Sequence, residues 1–210
     1  MQELEQLQGH LAEVKALGEA AAVLGWDQQT YMPPGGAGAR AAQLTALAGV
    51  IHEKATGDET AHLLGAAERA GAGLDPDSDD AAFLRMARRD FDQATKIPTA
   101  LVAETARVTA LAFEQWAQAR AESDWGRFAP WLEQILELTR QAADHLGHGG
   151  ERYDALLDQY EPGMTALDAR AMFEAIKPDL VALVKAVADL GPDAIDDSVL
   201  RRDFDEEKQR

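Results

Sequence analysis

A histidine followed by a glutamate is the residue pair in this chain that most strongly invites metal chemistry. A helical zinc-protease site needs two histidines four residues apart and a glutamate after the first, because both imidazoles then bind the metal from one helix face and the carboxylate acts as base. His52 and Glu53 open such a run, but Thr56 stands where the second histidine belongs. This run therefore predicts no metal site.

Two other histidine patterns are also weak metal signals. His145 and His148 lie three residues apart, among glycines at a predicted helix end. Two such imidazoles can share a metal ion, but histidine in a last helical turn also interacts favourably with the helix dipole. We expect helix capping, with metal binding as the alternative. Glu59 and His62 form one Glu-x-x-His run, whereas a dimetal bundle needs two such runs and two further glutamates.

Other catalytic motifs are missing from the sequence. Gly35, Gly36 and Gly38 form a glycine-rich run, but no Lys-Ser or Lys-Thr follows it as a phosphate-binding loop requires. The chain has no Gly-x-Ser-x-Gly nucleophile elbow. It also has no cysteine, which excludes disulfides and thiolate metal sites. Taken alone, the sequence identifies no catalytic residue and no metal ligand.

Composition restricts the partners. The 210 residues carry a formal net charge of −17, whereas a protein that binds a nucleic-acid backbone needs clustered lysine and arginine. No apolar run reaches the roughly 18 to 20 residues of a membrane span, and the acidic start of the chain lacks a signal-peptide core. We expect a cytoplasmic protein that binds neither nucleic acid nor membrane.

Helices must position whatever chemistry the chain supports. Every long segment repeats apolar residues at helical spacing, and none alternates convincingly with period two. We therefore predict an all-α fold of about seven or eight helices, organised as one region over 1–210. A narrow stripe through Leu4, Leu7 and Leu11 is typical of an antiparallel helix hairpin. A second stripe runs from Met172 to Val187, and Pro178 should kink or split its helix.

Other residues mark helix ends and a buried helix face. Gly147 is expected to be the C-terminal cap of one helix, and Thr165 with Asp168 resembles a capping box at the start of another. Earlier in the chain, the helix that follows an acidic loop is expected to bury Phe83 and Met86 on one side.

The segment from Gly25 to Arg40 contains more than a helical bundle needs to end a helix. Two prolines fix their own φ and restrict the residue before each, and the two glycines after them permit backbone conformations that other residues resist. Bulky side chains therefore lie at a stiff, shaped corner. The residues that we single out are Trp26, Asp27, Tyr31, Met32, Pro33, Pro34, Gly35, Gly36 and Arg40.

A second unusual run extends from Glu151 to Thr165. Its apolar and aromatic residues from Tyr153 to Tyr160 fall on one helical face, and a Pro-Gly pair then breaks the helix. This pattern predicts a packed helix–turn–helix corner. The residues that we single out are Tyr153, Tyr160, Glu161, Pro162 and Gly163.

Together these two runs resemble the carboxypeptidase Taq family of thermostable, zinc-dependent metallocarboxypeptidases. The resemblance covers Trp26 to Gly36, Arg40, Gln43-Leu44 and Tyr153 to Thr165, and the tail from Phe204 is similar to the family's approach to its catalytic half. Members are much longer, and their His-Glu-x-x-His motif and third metal ligand lie beyond the part matched here. The resemblance implies the N-terminal part of a zincin-like helical metallocarboxypeptidase fold, and no metal ligand or catalytic glutamate transfers to any residue of this chain.

The resemblance also implies a function for the whole enzyme. That enzyme would remove C-terminal residues from peptides, using zinc or cobalt and a glutamate base that lie outside this chain. This part would form a lid and one groove wall, and the protein would be a homodimer or otherwise self-associate. The charged end from Arg201 to Arg210 lacks a cap, so we expect a truncated chain. Because the His-Glu-x-x-His motif is absent from it, we expect this chain to bind no cofactor and to be inactive alone. The alternative is a stand-alone, non-catalytic helical interaction protein.

Overall fold

The computed structural model describes residues 2–33, 35–147, 149–191, 194, 196–201 and 203–208. Within these ranges the secondary structure is helical without strands, which confirms the all-α prediction. The α-helices are α1 (Gln2–Thr30), α2 (Ala37–Thr56), α3 (Asp58–Ala70), α4 (Asp79–Ala94), α5 (Thr99–Glu122), α6 (Trp125–Leu146), α7 (Arg152–Leu157) and α8 (Ala166–Asp189). Short 3-10 helices follow at Ser198–Leu200 and Glu206–Lys208. The chain forms two compact units, Met1–Ala155 and Leu156–Arg210.

The first unit is built around the apolar stripe of α1. This helix packs against α2 and α3, while α5 packs against both α2 and α6. Leu4 and Leu7 join Leu64 of α3 and Leu84 of α4 in one buried cluster. Burying a leucine side chain contributes about 1.5 to 3 kcal/mol. The leucine stripe therefore fixes how α1, α3 and α4 pack together.

The predicted helix caps are present. Gly147 has φ 81°, and its N–H donates to the Ala143 carbonyl at the end of α6. Thr165 and Asp168 form a complete capping box at the start of α8, because each side chain bonds the other residue's backbone N–H. These contacts satisfy backbone groups that helix ends leave without intrahelical partners.

One predicted core residue is exposed. Met86 has 54% of its surface exposed, so its predicted burial is wrong. The buried face of α4 instead contains Leu84, with Phe83 and Ala87 packed beside it. Met86 lies beyond the edge of that face, because successive helical residues are separated by about 100° around the helix axis.

The second unit is dominated by α8. The helix continues through Pro178, so the expected split does not occur. None of the residues of α8 is buried. Phe173 and Leu183, both in the predicted stripe, are 58% and 60% exposed. Among the helices described, none combines the length and apolar character needed to cross a membrane.

Candidate functional site

The corner between α1 and α2 begins with two hydrogen bonds to one carbonyl. The backbone N–H groups of Tyr31 and Met32 both donate to the carbonyl of Asp27, at 3.0 and 2.9 Å. Sharing this acceptor ends the regular helical pattern and turns the chain. The Thr30 hydroxyl also donates to the Trp26 carbonyl at 2.8 Å, which adds a side-chain hydrogen bond to the last turn of α1.

Glycine and proline then complete the corner. The Gly36 N–H donates to the Pro33 carbonyl at 2.9 Å. A Cβ atom on Gly36 would lie 2.8 Å from Cγ of Met32, so any larger residue would displace the methionine. Gly35, in contrast, faces open space. Pro34 lies outside the described residues. The close approach of Met32 to the backbone explains why the corner needs a glycine at position 36.

A partly buried ion pair connects the two sides of the corner. Arg40 Nη2 donates to Asp27 Oδ2 at 2.6 Å, and the arginine side chain is only 11% exposed. Arg40 Nη1 also donates to the Leu24 carbonyl, and its Nε donates to Gln43 Oε1 at 3.1 Å. A poorly hydrated guanidinium is stabilised when its donors are paired in this way. The pair therefore attaches the end of α1 to the first turn of α2.

Two aromatic side chains of the corner remain on the surface. Trp26 and Tyr31 contact each other edge to face, with ring centroids 5.4 Å apart. They are 56% and 75% exposed. Exposed aromatic side chains of this kind are frequent contact groups in interfaces, because they provide a large apolar area together with a polar end.

Gln28, inside the same motif, makes a contact that no sequence signal identifies. Its Nε2 donates to the Ala110 carbonyl of α5 at 2.8 Å, across a separation of 82 residues. Gln28 also lines an open apolar cleft of about 500 Å³, together with Gln29, Leu44 and other residues of α1, α2 and α5. The corner is therefore tied to α5 as well as to α2.

The second predicted corner differs from its prediction. Tyr153 lies in α7, but that helix ends at Leu157 and does not reach Tyr160. The two tyrosines therefore do not share one helical face. Asp158 Oδ1 accepts a hydrogen bond from the N–H of Gly163 at 2.8 Å, where φ is 84°, and so stabilises a turn in place of further helix.

The residues of this turn are exposed. Tyr160 is 83% exposed, and Glu161 and Pro162 follow it on the surface of the second unit. Tyr153 is 59% exposed on the first unit. The structure thus brings the described residues of the α1–α2 corner together, and within the second unit Tyr160 to Gly163 form a local turn.

Two of the histidines that the structure describes, His10 and His52, make hydrogen bonds between helices. His10 is buried, and its Nε2 lies 2.7 Å from Oγ1 of Thr60. Because that hydroxyl donates to the Lys54 carbonyl at 2.6 Å, it accepts a hydrogen bond from the Nε2–H of His10. His10 therefore links α1 to α3 and is not oriented as a metal ligand.

His52 of α2 connects its helix to α4 and α5. Its Nε2 lies 3.0 Å from the Ala94 carbonyl, which can only accept, so this nitrogen carries a proton. Its Nδ1 lies 3.0 Å from the Thr99 hydroxyl. His145 is exposed in the last turn of α6, as capping requires. His148 lies outside the described residues.

Shifted carboxyl pKa values have structural causes. Arg88 donates to both oxygens of Glu68 at 2.7 Å, which lowers the pKa of that carboxyl and raises the pKa of the arginine. Arg88 of α4 is thus ion-paired with Glu68 of α3. A hydrogen bond from Lys54 likewise lowers the pKa of Glu13. Such pairs favour permanently charged groups and do not produce a general acid or base that titrates near neutral pH.

The described residues do not fit the metal that the family resemblance implies. Within the ranges given above, no group of three or more histidine, aspartate or glutamate side chains is arranged to hold a metal ion. Zinc is normally held by at least three such ligands. No catalytic step through a metal can therefore be derived from these side chains.

Known proteins match this chain over nearly its whole length. A model of the carboxypeptidase Taq (M32) metallopeptidase family matches residues 6–210. Thermostable carboxypeptidase 1 of Thermus thermophilus is 35% identical over 218 residues, which cover 100% of this chain and 42% of that protein. Thermostable carboxypeptidase 1 of Pyrococcus furiosus is 31% identical over 188 residues, covering 90% of this chain and 37% of that protein. The chain thus spans about two fifths of these curated relatives.

Solved carboxypeptidase structures also match all of this chain over about two fifths of their own length. The BsuCP crystal structure matches all of this chain with a TM-score of 0.89 at 28% identity, and the match covers 41% of that protein. The M32 carboxypeptidase from Deinococcus radiodurans R1 also matches all of it, with a TM-score of 0.74 at 34% identity and 41% coverage of that protein. This chain belongs to the carboxypeptidase Taq (M32) metallopeptidase family.

Proposed function

We propose that this chain is the N-terminal helical part of a metal-dependent carboxypeptidase that removes C-terminal residues from peptides in the cytoplasm. The observation that carries the proposal is the match of the whole chain to BsuCP at a TM-score of 0.89, although the chain spans 41% of that structure. The curated relatives are named carboxypeptidases, so peptides with a free C-terminal carboxylate are the proposed substrates.

The proposed role of this part is to form a lid and one wall of the substrate groove. A lid supports catalysis by excluding water and restricting access, provided that it moves without losing its shape. The partly buried Asp27–Arg40 pair and the contact of Met32 with Gly36 support such a role, because they stiffen the connection between α1 and α2. Trp26 and Tyr31 would then be contact groups on the outer side of this connection.

The exposed stripe of α8 also supports the proposal of a longer protein. A helix that is apolar over much of its surface is normally buried inside a larger structure. Phe173, Leu180 and Leu183 are each more than half exposed in this chain. We propose that the additional length present in the relatives covers this surface, and that the isolated chain self-associates through it.

The metal would be zinc or cobalt, held by residues outside these 210. When bound, it would polarise the scissile carbonyl and activate water. The residues described here would contribute shape, by holding the hairpin and groove wall in place. The isolated chain is therefore expected to be inactive.

A chimera tests this function. The matching region of the Thermus thermophilus carboxypeptidase is replaced by this chain, and release of the C-terminal residue from an N-blocked dipeptide is measured with zinc or cobalt. The chimera should release the residue, whereas this chain alone, washed with chelator and given the same metals, should not. A chimera that folds and binds metal but releases nothing contradicts the proposal, as does genuine turnover by the isolated chain.

The alternative, a stand-alone interaction protein, is distinguished by the gene. A native stop codon directly after the codon for Arg210 would favour the alternative and contradict the proposal that a catalytic part follows. A continuing reading frame that encodes His-Glu-x-x-His would support the carboxypeptidase.

A further inference from the structure

A small cleft lies where α5 turns into α6. Two residues join these helices. Ser123 ends α5 in the left-handed region, with φ 55° and ψ 34°, and Asp124 caps α6 by accepting a hydrogen bond from the Arg127 N–H at 3.2 Å. This short connection brings the last turns of α5 close to the first turn of α6. The resulting cleft has a volume of about 360 Å³.

Aromatic side chains form the apolar walls of this cleft. Trp116 and Trp125 both line it and are 43% and 65% exposed, and Phe128 lies beside them. The rings of Trp125 and Phe128 are in edge-to-face contact, with centroids 6.2 Å apart. Two of the four tryptophans of the chain thus line one small cleft. Indole rings in such a setting favour stacking with another flat ring.

The same cleft contains one positive and one negative group that are available to a ligand. Among the described residues, the guanidinium of Arg120 has no hydrogen-bond or ion-pair partner, although it lines the cleft. Asp124 lines it too and uses Oδ1 for the helix cap, while Oδ2 has no partner in the described part of the chain. The neighbouring Arg127 is different, because it is paired with Glu122 at 3.2 Å.

We propose that this cleft binds a free amino acid with an aromatic side chain. Its carboxylate would pair with Arg120 and its ammonium group with Asp124, while its ring would lie against Trp116 and Trp125. The volume is at the small end of the range for ligand pockets, roughly 300 to 1,000 Å³, which suits one amino acid better than a protein segment. The two opposite charges favour a zwitterion over a simple anion or cation. This proposal does not depend on the carboxypeptidase function.

Four probes test the chemistry on the chain itself. L-phenylalanine, L-alanine, phenylalaninamide and N-acetyl-L-phenylalanine are titrated while the indole N–H signals are followed by ¹H–¹⁵N NMR. L-phenylalanine should shift the signals of Trp116 and Trp125 saturably and leave that of Trp26 unchanged. Each other probe lacks the ring, the carboxylate or the ammonium group, and should bind about tenfold more weakly because one charged or stacking contact is lost.

Three variants test the residues. Arg120→Gln removes the positive charge, and Asp124→Asn removes the negative charge while keeping a good helix cap. Each should weaken L-phenylalanine binding about tenfold. Arg69→Gln, which changes another exposed arginine on α3, should leave binding unchanged. Circular dichroism checks that each variant is folded.

Several outcomes would overturn the proposal. These are the absence of a saturable shift with L-phenylalanine, equal binding of N-acetyl-L-phenylalanine or phenylalaninamide, or an Arg69→Gln effect as large as that of Arg120→Gln. Equal binding of N-acetyl-L-phenylalanine would specifically indicate a peptide C-terminus as the occupant. Since no metal or turnover is involved, a negative result here leaves the carboxypeptidase proposal untouched.

Discussion

Helices α1 and α8 both carry long apolar stripes, but only the stripe of α1 is covered. Leu7 of α1 is fully buried against residues of α3 and α4, whereas Phe173 and Leu183 of α8 are 58% and 60% exposed. Periodicity therefore determines that each segment is helical and which face is apolar. Whether that apolar face is buried depends on a helix that packs against it, and the face of α1 packs against α3 and α4.

One ion pair from each unit shows a similar difference in exposure. Arg40 and Asp27 lie 2.6 Å apart, with the arginine side chain 11% exposed. Lys177 and Glu174 on α8 lie 3.3 Å apart, and both side chains are about two thirds exposed. A pair removed from water restricts structure, while an exposed pair contributes little because solvent competes for both charges.

The largest expected effect is on the α1 core. Leu7→Ala should lower the free energy of unfolding by about 3 kcal/mol, because it removes buried methyl groups and leaves a cavity. The matched variant Leu183→Ala on α8 should cost less than about 0.5 kcal/mol. Urea unfolding of both variants measures the difference. Similar losses in the two variants would show that the α8 stripe is buried after all.

The next effect concerns the corner. Arg40→Met should cost roughly 2 kcal/mol, because Asp27 loses its partner and the Leu24 carbonyl loses a donor. The control, Lys177→Met on α8, should cost less than about 0.5 kcal/mol. Adding Asp27→Asn to Arg40→Met should recover part of the loss, because it removes the unpaired charge. Equal losses for Arg40→Met and Lys177→Met in urea unfolding would remove the distinction between the pairs.

A smaller effect depends on pH. The bonds from Arg88 lower the pKa of Glu68 in the folded chain, so their stabilisation is present at neutral pH and is lost as pH falls through the lowered pKa of the folded state. Glu68→Gln should cost about 1 kcal/mol at pH 7, after allowance for solvent screening. The difference from the wild type should shrink towards pH 3.

The pH dependence of Glu68→Gln is compared with that of a control variant on α6. Glu133→Gln changes an exposed carboxylate of α6 for which no ion pair is found among the described residues, and it should change stability little at any pH. Urea midpoints across the pH range give the comparison. A Glu68→Gln difference that is constant from pH 7 to pH 3 would show that the ion pair does not cause it.

The sequence predicts local structure well where the signal lies within a few residues. Gly147 could be identified as a cap from glycine at a helix end, and Thr165 with Asp168 from their spacing of three. The all-α class follows equally from helical periodicity. At Pro178 the predicted split does not occur, since α8 continues through it and the neighbouring residues remain helical; the predicted kink stays a prediction.

Contacts between distant residues could not be predicted in this way. Gln28 bonds to Ala110 across 82 residues and His10 to Thr60 across 50, so neither pair has a local pattern.

The burial of Met86 was predicted wrongly, because an apolar residue near the edge of a helix face can be either buried or exposed. The Asp27–Arg40 pair was also missed, because no local pattern indicates which residues of the α1–α2 corner contact each other. From sequence, these residues could only be identified as unusual.

Self-association tests the account of α8 most directly. Sedimentation velocity is measured over a wide range of concentration for the wild type, for Leu180→Glu with Leu183→Glu on the exposed face of α8, and for the control Val23→Glu on α1, which is also exposed. The wild type and the control should associate as concentration rises, because exposed apolar surface favours association, and the α8 double variant should remain monomeric. A wild-type chain that stays monomeric throughout, or association that the double variant does not change, would contradict the account.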